Sequence, residues 1–172
     1  MIKRDSKGYW IWAQFDNSSM KLLNKAYIKT NSKLNGPNFN IHLTISGPIK
    51  IEKDIVIRKF LGLKAKLHSF DIKIDNYLFS KLFYESLYIS VFSNKQLDNL
   101  KENIDKEFNI FKNNYNPHIS LFYGKKSDSD KKKIIAELPS LPKTIKLSTL
   151  CLVYVDENKN KWDIEHKFHL NN

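Results

Sequence analysis

The sequence predicts an α+β domain, and two features of the chain support that prediction. Segments with strand-like patterning recur along the 172 residues together with segments of helical spacing, and the connections between them are short enough for antiparallel pairing. The chain also contains a repeat, in which an aromatic strand and a helix precede a strand that carries a histidine. This repeat spans 33 residues from Tyr9 to His42 and 30 residues from Tyr88 to His118, which indicates two related halves joined by a middle section.

The first half of the chain is predicted to contain three strands and two helices. These elements are, in order, a strand over residues 8–15, a helix over 17–34, a strand over 39–47, a short helix over 53–61 and a strand over 66–75. Asn17, Ser18 and Ser19 are residue types that cap helices, and apolar side chains follow them at helical spacing. Asn35-Gly36-Pro37 ends this helix, and Gly47-Pro48 stops the strand that follows.

The second half is predicted to contain four strands and two helices. These elements are, in order, a strand over residues 83–92, a helix over 94–108, a strand over 117–123, a charged helix over 127–138 and strands over 145–155 and 162–170. Leu97, Leu100 and Ile104 share one face of the first of these helices. The segment between the last two strands is rich in turn-forming residues, so we expect these strands to form a hairpin.

Composition indicates a single domain over residues 1–172, a size that allows a substantial core. Hydrophobic residues make up 41% of the chain and aromatic residues 13%, which is sufficient for folding without disulfides. Cys151 is the single cysteine, which excludes an intrachain disulfide and is typical of a reducing compartment. The first residues are polar and no apolar run reaches the roughly 18 residues of a membrane span. We therefore expect a cytoplasmic monomer with no signal peptide and no membrane segment.

The chain is strongly basic, with 29 Lys and Arg against 18 Asp and Glu and a net charge of +11. A surplus of this size attracts anionic partners, including nucleotides and RNA, without sequence preference. Only two of these basic residues are arginine, so bidentate guanidinium contacts to phosphate contribute little. A lysine-rich composition with no role in binding is the alternative explanation of the charge.

Two short segments point to a specific chemistry. Residues 41–45 read Ile-His-Leu-Thr-Ile and residues 117–121 read Pro-His-Ile-Ser-Leu. Side chains alternate between the faces of a strand, so His42 shares a face with Thr44, and His118 shares a face with Ser120. A lone histidine in an apolar strand is usually a hydrogen-bonded core residue. Two histidines with the same hydroxyl neighbour instead predict an acid/base pair around one phosphate.

The two motifs resemble those of the 2H phosphoesterases, a superfamily named for two His-x-Ser/Thr-x motifs in which x is usually hydrophobic. The separation of 76 positions from His42 to His118, the chain length and the strand–helix segment before each motif also suit this superfamily. The surrounding residues are most similar to its cyclic phosphodiesterase branch. The resemblance implies two lobes, formed by the two pseudo-symmetric halves, with mainly antiparallel sheets that flank a central cleft.

The predicted catalytic residues are His42, His118, Thr44 and Ser120. One histidine would take a proton from the attacking water while the other gives a proton to the departing oxygen. The two hydroxyls would donate to the non-bridging oxygens, where negative charge builds up in the transition state. We favour His118 as the base and His42 as the acid, although the pseudo-symmetry makes these roles interchangeable. Neither motif lies in a cluster of metal-binding side chains, so we expect no metal and no cofactor.

Four further residues are candidates for substrate binding. Trp10 and Trp12 share a strand face with Gln14, which indicates that this face is not wholly dry and that an indole could stack on a base. Core packing is the alternative role for these tryptophans. Phe122 is expected to share the polar face of the second motif strand and to line the cleft. Lys125 follows this strand and could approach a phosphate, with a solvated charge as the alternative.

These features predict a metal-independent phosphodiesterase that acts on a nucleotide or RNA-end phosphodiester. From the resemblance, the expected substrate is a 2′,3′-cyclic phosphate, or an ADP-ribose 1″,2″-cyclic phosphate, that is opened to a monoester. A second enzymatic alternative is cleavage of 2′–5′ linked or cyclic oligonucleotide signals, as in antiviral signalling and its countermeasures. The alternative from another class is a non-catalytic RNA- or nucleotide-binding module that keeps the cleft.

Overall fold

The computed structural model describes residues 7–111, 114–156 and 161–172, which form seven strands and four α-helices. The elements are β1 (Gly8–Phe15), α1 (Asn17–Leu34), β2 (Leu43–Ile49), α2 (Lys53–Gly62), β3 (Phe70–Phe79), β4 (Leu87–Val91), α3 (Lys95–Phe108), β5 (His118–Phe122), α4 (Asp128–Ile135), β6 (Thr144–Asp156) and β7 (Lys161–His169). This order matches the predicted order of strands and helices. In the part of the chain that the structure describes, no helix has both the length and the apolar character needed to cross a membrane.

The largest differences from the sequence predictions lie at the boundaries of strands, and β3 also ends four residues later than predicted. β3 begins four residues later than predicted because a 3₁₀ turn at Lys64–Lys66 precedes it. β4 also begins late, because the Ser80 hydroxyl donates to the carbonyl oxygen of Glu85 at 2.8 Å and folds the intervening residues into a connection. β2 begins at Leu43 and does not stop at the predicted Gly47-Pro48, since β1 still pairs with it at Ile49.

All pairings between these strands are antiparallel. The strand order is β1-β2-β5-β4-β3-β6-β7, and β1 also pairs with β6. The strands β1 to β6 therefore close into a ring, to which β7 adds as a hairpin partner of β6. The predicted hairpin is confirmed by the pairing of Asp156 with Lys161, while residues 157–160 of its turn lie outside the described residues. The start of β6 pairs with β3 and the rest pairs with β1, so β6 closes the ring between these two strands.

The helix of each repeated unit packs on the motif strand of the other unit. α1 lies against β5, and α3 lies against β2. Beyond the end of α1, Gly36 approaches β5 so closely that a Cβ atom there would stand 2.7 Å from the ring of Phe122. Ser46 of β2 donates a hydrogen bond to Asp105 Oδ1 of α3 at 2.5 Å. This reciprocal packing of helices on strands holds the two motif strands beside each other. Buried residues of both halves share one apolar core.

A second, smaller apolar cluster lies on the other face of β1 and β6. It consists of the buried residues Trp12, Cys151, Val153 and Val155, with Trp10, Trp162 and Ile164 packed against it. The main core instead receives Ile11 and Ala13, the neighbours of Trp12 along β1. The alternation of β1 thus separates the core from the face that carries the two tryptophans of this strand.

Candidate active site

The two motifs meet where β2 pairs with β5. Leu43 of β2 lies opposite Ile119 of β5 in antiparallel register, and facing residues in such a pair share one face of the sheet. Counting one residue outward in each direction places each motif histidine opposite the hydroxyl residue of the other motif: His42 opposite Ser120, and His118 opposite Thr44. By this register the four predicted catalytic residues fall on the same face of the two strands, in an approximately twofold arrangement.

Both histidines are oriented by the same backbone contact. Nδ1 of His42 lies 2.6 Å from the carbonyl oxygen of Asn40, and Nδ1 of His118 lies 2.9 Å from the carbonyl oxygen of Asn116. Because a carbonyl oxygen can only accept a hydrogen bond, each Nδ1 carries a proton. In the neutral imidazole this leaves the lone pair on Nε2, which is the nitrogen available for proton transfer.

An aromatic residue packs on each motif histidine. The indole of Trp12 stacks on His42, with ring centroids 3.5 Å apart and ring planes 5° apart. Tyr88 meets His118 edge-on, with centroids 5.4 Å apart and planes at 65°. Each aromatic residue precedes its histidine by 30 residues in the sequence, so the twofold relation extends beyond the motifs. Trp12, a predicted substrate-binding residue, is buried and covered by the imidazole, so it positions His42 instead of presenting its ring to a base.

The two histidines differ in their access to solvent. His42 is 5% exposed, whereas His118 is half-buried and lines a pocket. Burial lowers the pKa of His42 from 6.5 to about 4, against the opposing effect of its hydrogen bond to Asn40. A positive charge on His118 lowers this pKa as well, which places the two rings within electrostatic range of each other. His42 is therefore neutral near pH 7.

The two motif hydroxyls also differ. Thr44 is half-buried and lines the pocket, and its backbone carbonyl accepts a hydrogen bond from the hydroxyl of Tyr115 at 3.1 Å. Ser120 is buried, and its hydroxyl donates to the carbonyl oxygen of Tyr84 at 2.9 Å. A serine hydroxyl has a single proton to donate. Thr44 is thus the motif hydroxyl residue that is placed to meet a ligand in this structure.

A pocket of about 190 Å³ opens between the two halves beside His118. Thr44, Ser46 and Trp10 line it from the first half, and Trp10 lies against Gly47, where a Cβ atom would stand 2.6 Å from the indole. Trp10 is thus a predicted substrate-binding residue that the structure brings to the pocket. Among the described lining residues, Lys101 supplies an ammonium and Glu85 a carboxylate. The pocket therefore offers both a cation and a hydrogen-bond acceptor to a ligand.

The remaining two predicted substrate-binding residues lie elsewhere. Phe122 is 2% exposed, and its ring fills the space beside Gly36 and Gly124 in the core. Leu87 and Tyr88 are neighbours on β4, but they pair with Phe122 and Ser120, which are two residues apart on β5. This bulge interrupts the alternation on which the cleft-facing prediction for Phe122 depended. Lys125 is exposed beyond β5 and is absent from the described lining of the pocket.

The sequence predictions missed Lys101, Tyr115 and Glu85 of the pocket. These residues lie on a helix and in two connections far from either motif in the sequence, and no local pattern marks them. The orienting carbonyls did have a visible signal, because Asn precedes both motif histidines by two residues. Among the residues that the structure describes, no three His, Cys, Asp or Glu side chains come together as metal ligands would. Independence from metal remains a prediction.

Comparison with known proteins identifies the fold. Neither a protein-family model nor a curated protein matches this sequence. A solved structure described as a phosphoesterase is 11% identical, with a TM-score of 0.65 over 96% of this chain and 99% of that chain. E. coli LigT in complex with NADP⁺ is also 11% identical, with a TM-score of 0.65 over 98% of this chain and 100% of its own. LigT in complex with ATP is 12% identical, with a TM-score of 0.60 over 96% and 98% of the two chains.

The chain therefore has the fold of these solved structures along almost its whole length. The predicted α+β class with mainly antiparallel sheets is confirmed by this shared fold. Because the identity is near 11%, the likeness concerns the fold alone, and the chemistry depends on the side chains of the site.

The burial of His42 predicts how stability depends on pH. The folded state holds this histidine neutral down to about pH 4, whereas the unfolded chain binds a proton near pH 6.5. The unfolded state thus binds more protons in this window, so the free energy of unfolding falls as the pH drops from 6.5 to 4. We expect this histidine to contribute a loss of about 3 kcal/mol, measured by urea unfolding across the window.

The matched control is His42→Gln, which keeps a polar side chain able to donate to Asn40 but does not titrate. Its free energy of unfolding should fall less with pH than that of the wild type, because all other titrating groups are shared. Parallel curves for the two proteins would contradict the prediction.

Proposed function

We propose that this protein is a metal-independent phosphodiesterase of the 2H type, with its active site where β2 meets β5. The observation that carries the proposal is the register of Leu43 with Ile119, which supports a common face for both motif histidines and both hydroxyls. The structures of E. coli LigT hold ATP, NADP⁺, 3′-AMP and phosphate. These complexes support a nucleotide as the ligand, and a net charge of +11 favours the approach of such anions.

The proposed substrate is a nucleotide or RNA-end 2′,3′-cyclic phosphate, or an ADP-ribose cyclic phosphate, which is opened to a monoester. The pocket supports this assignment because Thr44 and His118 lie together with Trp10 in its lining. The reacting phosphate would sit between the two motifs, and the Trp10 indole offers a surface on which a base can stack. Glu85 lines the same pocket and can accept a hydrogen bond from a ribose hydroxyl or an exocyclic amine.

The structure favours a division of roles opposite to the one suggested by the sequence. His42 is neutral near pH 7 and has its lone pair on Nε2, so it takes a proton from water as the water oxygen bonds to phosphorus. The bond from phosphorus to the ribose oxygen breaks, and that oxygen receives a proton from Nε2 of His118. The hydrogen bond from Nδ1 of His118 to Asn116 holds this ring in place during the transfer.

Two other functions remain as alternatives. Cleavage of 2′–5′ linked or cyclic oligonucleotide signals would use the same proton transfers on a different phosphodiester. A non-catalytic binding module would use the basic surface and Trp10 but would have no need for two histidines oriented alike.

Turnover in the presence of EDTA tests the proposal directly. We expect the wild-type protein to open adenosine 2′,3′-cyclic phosphate to a monoester under chelation, as measured by chromatography. His42→Ala and His118→Ala should each lower kcat/KM by about 10²–10⁴-fold, as expected for loss of a general acid or base. The double variant should be little worse than either single variant, because the two residues act as a unit.

Assaying 2′–5′ oligoadenylate and a cyclic dinucleotide in parallel identifies the class of phosphodiester, and thermal melting controls for misfolding. Full turnover in either alanine variant would refute the two-histidine mechanism. Loss of turnover in EDTA that zinc restores would refute metal independence. Salt-dependent nucleotide binding without any turnover would identify a binding module.

The pH dependence of kcat/KM distinguishes the two assignments of roles. If His42 is the base, activity should persist as the pH falls and should decline only near pH 4, where His42 gains a proton. If His42 is instead the acid, activity should decline as the pH rises above about 4. Initial rates between pH 4 and pH 8 decide between these outcomes, provided that enzyme held at each pH recovers full activity at pH 7.

The two motif hydroxyls should contribute unequally. Thr44→Val preserves the shape of the side chain and removes the donor that lines the pocket, so we expect kcat to fall by about 10²–10³-fold. Ser120→Ala should cost less, because the Ser120 hydroxyl already donates to Tyr84. Steady-state kinetics of both variants provides the measurement. An equal or larger loss of kcat in Ser120→Ala would show that this hydroxyl leaves Tyr84 to serve the reaction.

A further inference from the structure

The Lys101 ammonium is held at the pocket by two neighbours, Asp105 and Tyr115. Its Nζ lies 2.5 Å from Asp105 Oδ2 and 5.0 Å from the centroid of the Tyr115 ring. The other oxygen of Asp105 accepts a hydrogen bond from Ser46 of β2. The carboxylate is thus bound on both sides, and it ties the lysine to the strand that carries the first motif.

Of the two partners in this ion pair, only the lysine reaches the pocket that contains Thr44 and His118. A neighbouring groove of about 370 Å³ is lined by Asp105 and by Lys101 itself, together with the acidic residues Asp98 and Glu102 and the basic residue Lys106. An anion in the pocket would therefore meet the ammonium before it meets the carboxylate.

Salt bridges four residues apart are common on helices, and exposed ones contribute little to stability. α3 carries an exposed example in Glu102 and Lys106, whose side chains are 61% and 71% exposed. The side chains of Lys101 and Asp105 are only 11% and 14% exposed. Withdrawing this pair from water is costly unless its groups are well satisfied. Among the described residues, Asp105 is the only hydrogen-bond partner of Nζ, so the ammonium retains donors for a ligand.

The carboxylate that holds the ammonium is itself bound beyond the first motif, by Ser46 of β2. Its anchor Ser46 is two residues beyond Thr44 on β2, a separation of about 7 Å along a strand. We propose that Lys101 binds a second phosphate of the substrate, next to the phosphodiester that reacts between His42 and His118. This inference rests on the proposed function and narrows its substrate class. It favours a cyclic-phosphate-ended oligonucleotide, an ADP-ribose cyclic phosphate or a 2′–5′ linked oligomer over a cyclic mononucleotide, which has one phosphate.

Binding of two nucleotides that differ by one phosphate tests this inference without relying on turnover. Isothermal titration calorimetry with adenosine 3′-monophosphate and adenosine 3′,5′-bisphosphate should show tighter binding of the bisphosphate by wild-type protein. We expect a preference of about tenfold or more, as for one charged hydrogen bond. Lys101→Met should remove most of this preference.

Lys59→Met is the matched control. Lys59 also pairs with a carboxylate, that of Glu107 at 3.3 Å, and its ammonium lies 5.8 Å from the centroid of the Phe108 ring. In the part of the chain that the structure describes, Lys59 does not line the pocket. The preference for the bisphosphate should survive in this variant. If the unpaired Asp105 prevents Lys101→Met from folding, the double variant Lys101→Met/Asp105→Asn is tested in its place, because it removes both charges.

Equal affinity of the wild type for both nucleotides, or binding of neither, overturns the role of Lys101. Turnover of a cyclic phosphate in EDTA would still leave the proposed function standing in that case. If Lys101→Met weakens both nucleotides by the same factor, the lysine acts on the shared phosphate or on the scaffold, and the second-phosphate role is refuted. Loss of the bisphosphate preference alone supports that role, whether or not turnover is observed.

Discussion

The antiparallel contact between the two motif strands is the constraint on which the rest of the site depends. A shift of one residue in this register would turn the polar face of one motif into the core and separate each histidine from the opposite hydroxyl. The contact itself is short, with Leu43 and Ile119 as its one register pair in the described chain. Its alignment therefore relies on support from outside. α1 packs on β5, α3 packs on β2, and β6 closes the ring of strands by pairing with both β1 and β3.

A symmetric backbone here produces two unlike histidines. Both rings receive the same carbonyl contact at Nδ1, and both are met by an aromatic residue 30 positions earlier in the chain. The difference lies in the surroundings, because the stacked and buried ring of His42 loses hydration while His118 faces the pocket. Removing water penalises the charged form of an imidazole. When two neighbouring titratable groups have different environments, their pKa values differ, and one group can act as the acid while the other acts as the base.

The helix α3 serves both the fold and the pocket. Asp105 joins this helix to β2 through Ser46, and the same carboxylate holds Lys101 at the pocket wall. Tyr115, in the connection after α3, reaches the backbone of Thr44 and lies beneath the ammonium. A helix that must pack on the motif strand can in this way also bring charge to the site. This chain shares its fold with a structure described as a phosphoesterase at only 11% identity. Residues such as Lys101 and Tyr115, which the shared fold does not dictate, can therefore give this chain a ligand preference of its own.

The sequence by itself determined the fold class, the order of the elements and the two motif faces, because strand alternation and helical spacing are local periodicities. It also indicated the catalytic candidates through repetition of one pattern. Only the tertiary structure decided that Trp12 is covered by His42 and that Phe122 lies in the core. The first depends on which strands become neighbours, and the second on a bulge that breaks the alternation. Burial of His42 and the arrival of Lys101 at the pocket likewise result from packing between segments distant in the chain, which no local pattern encodes.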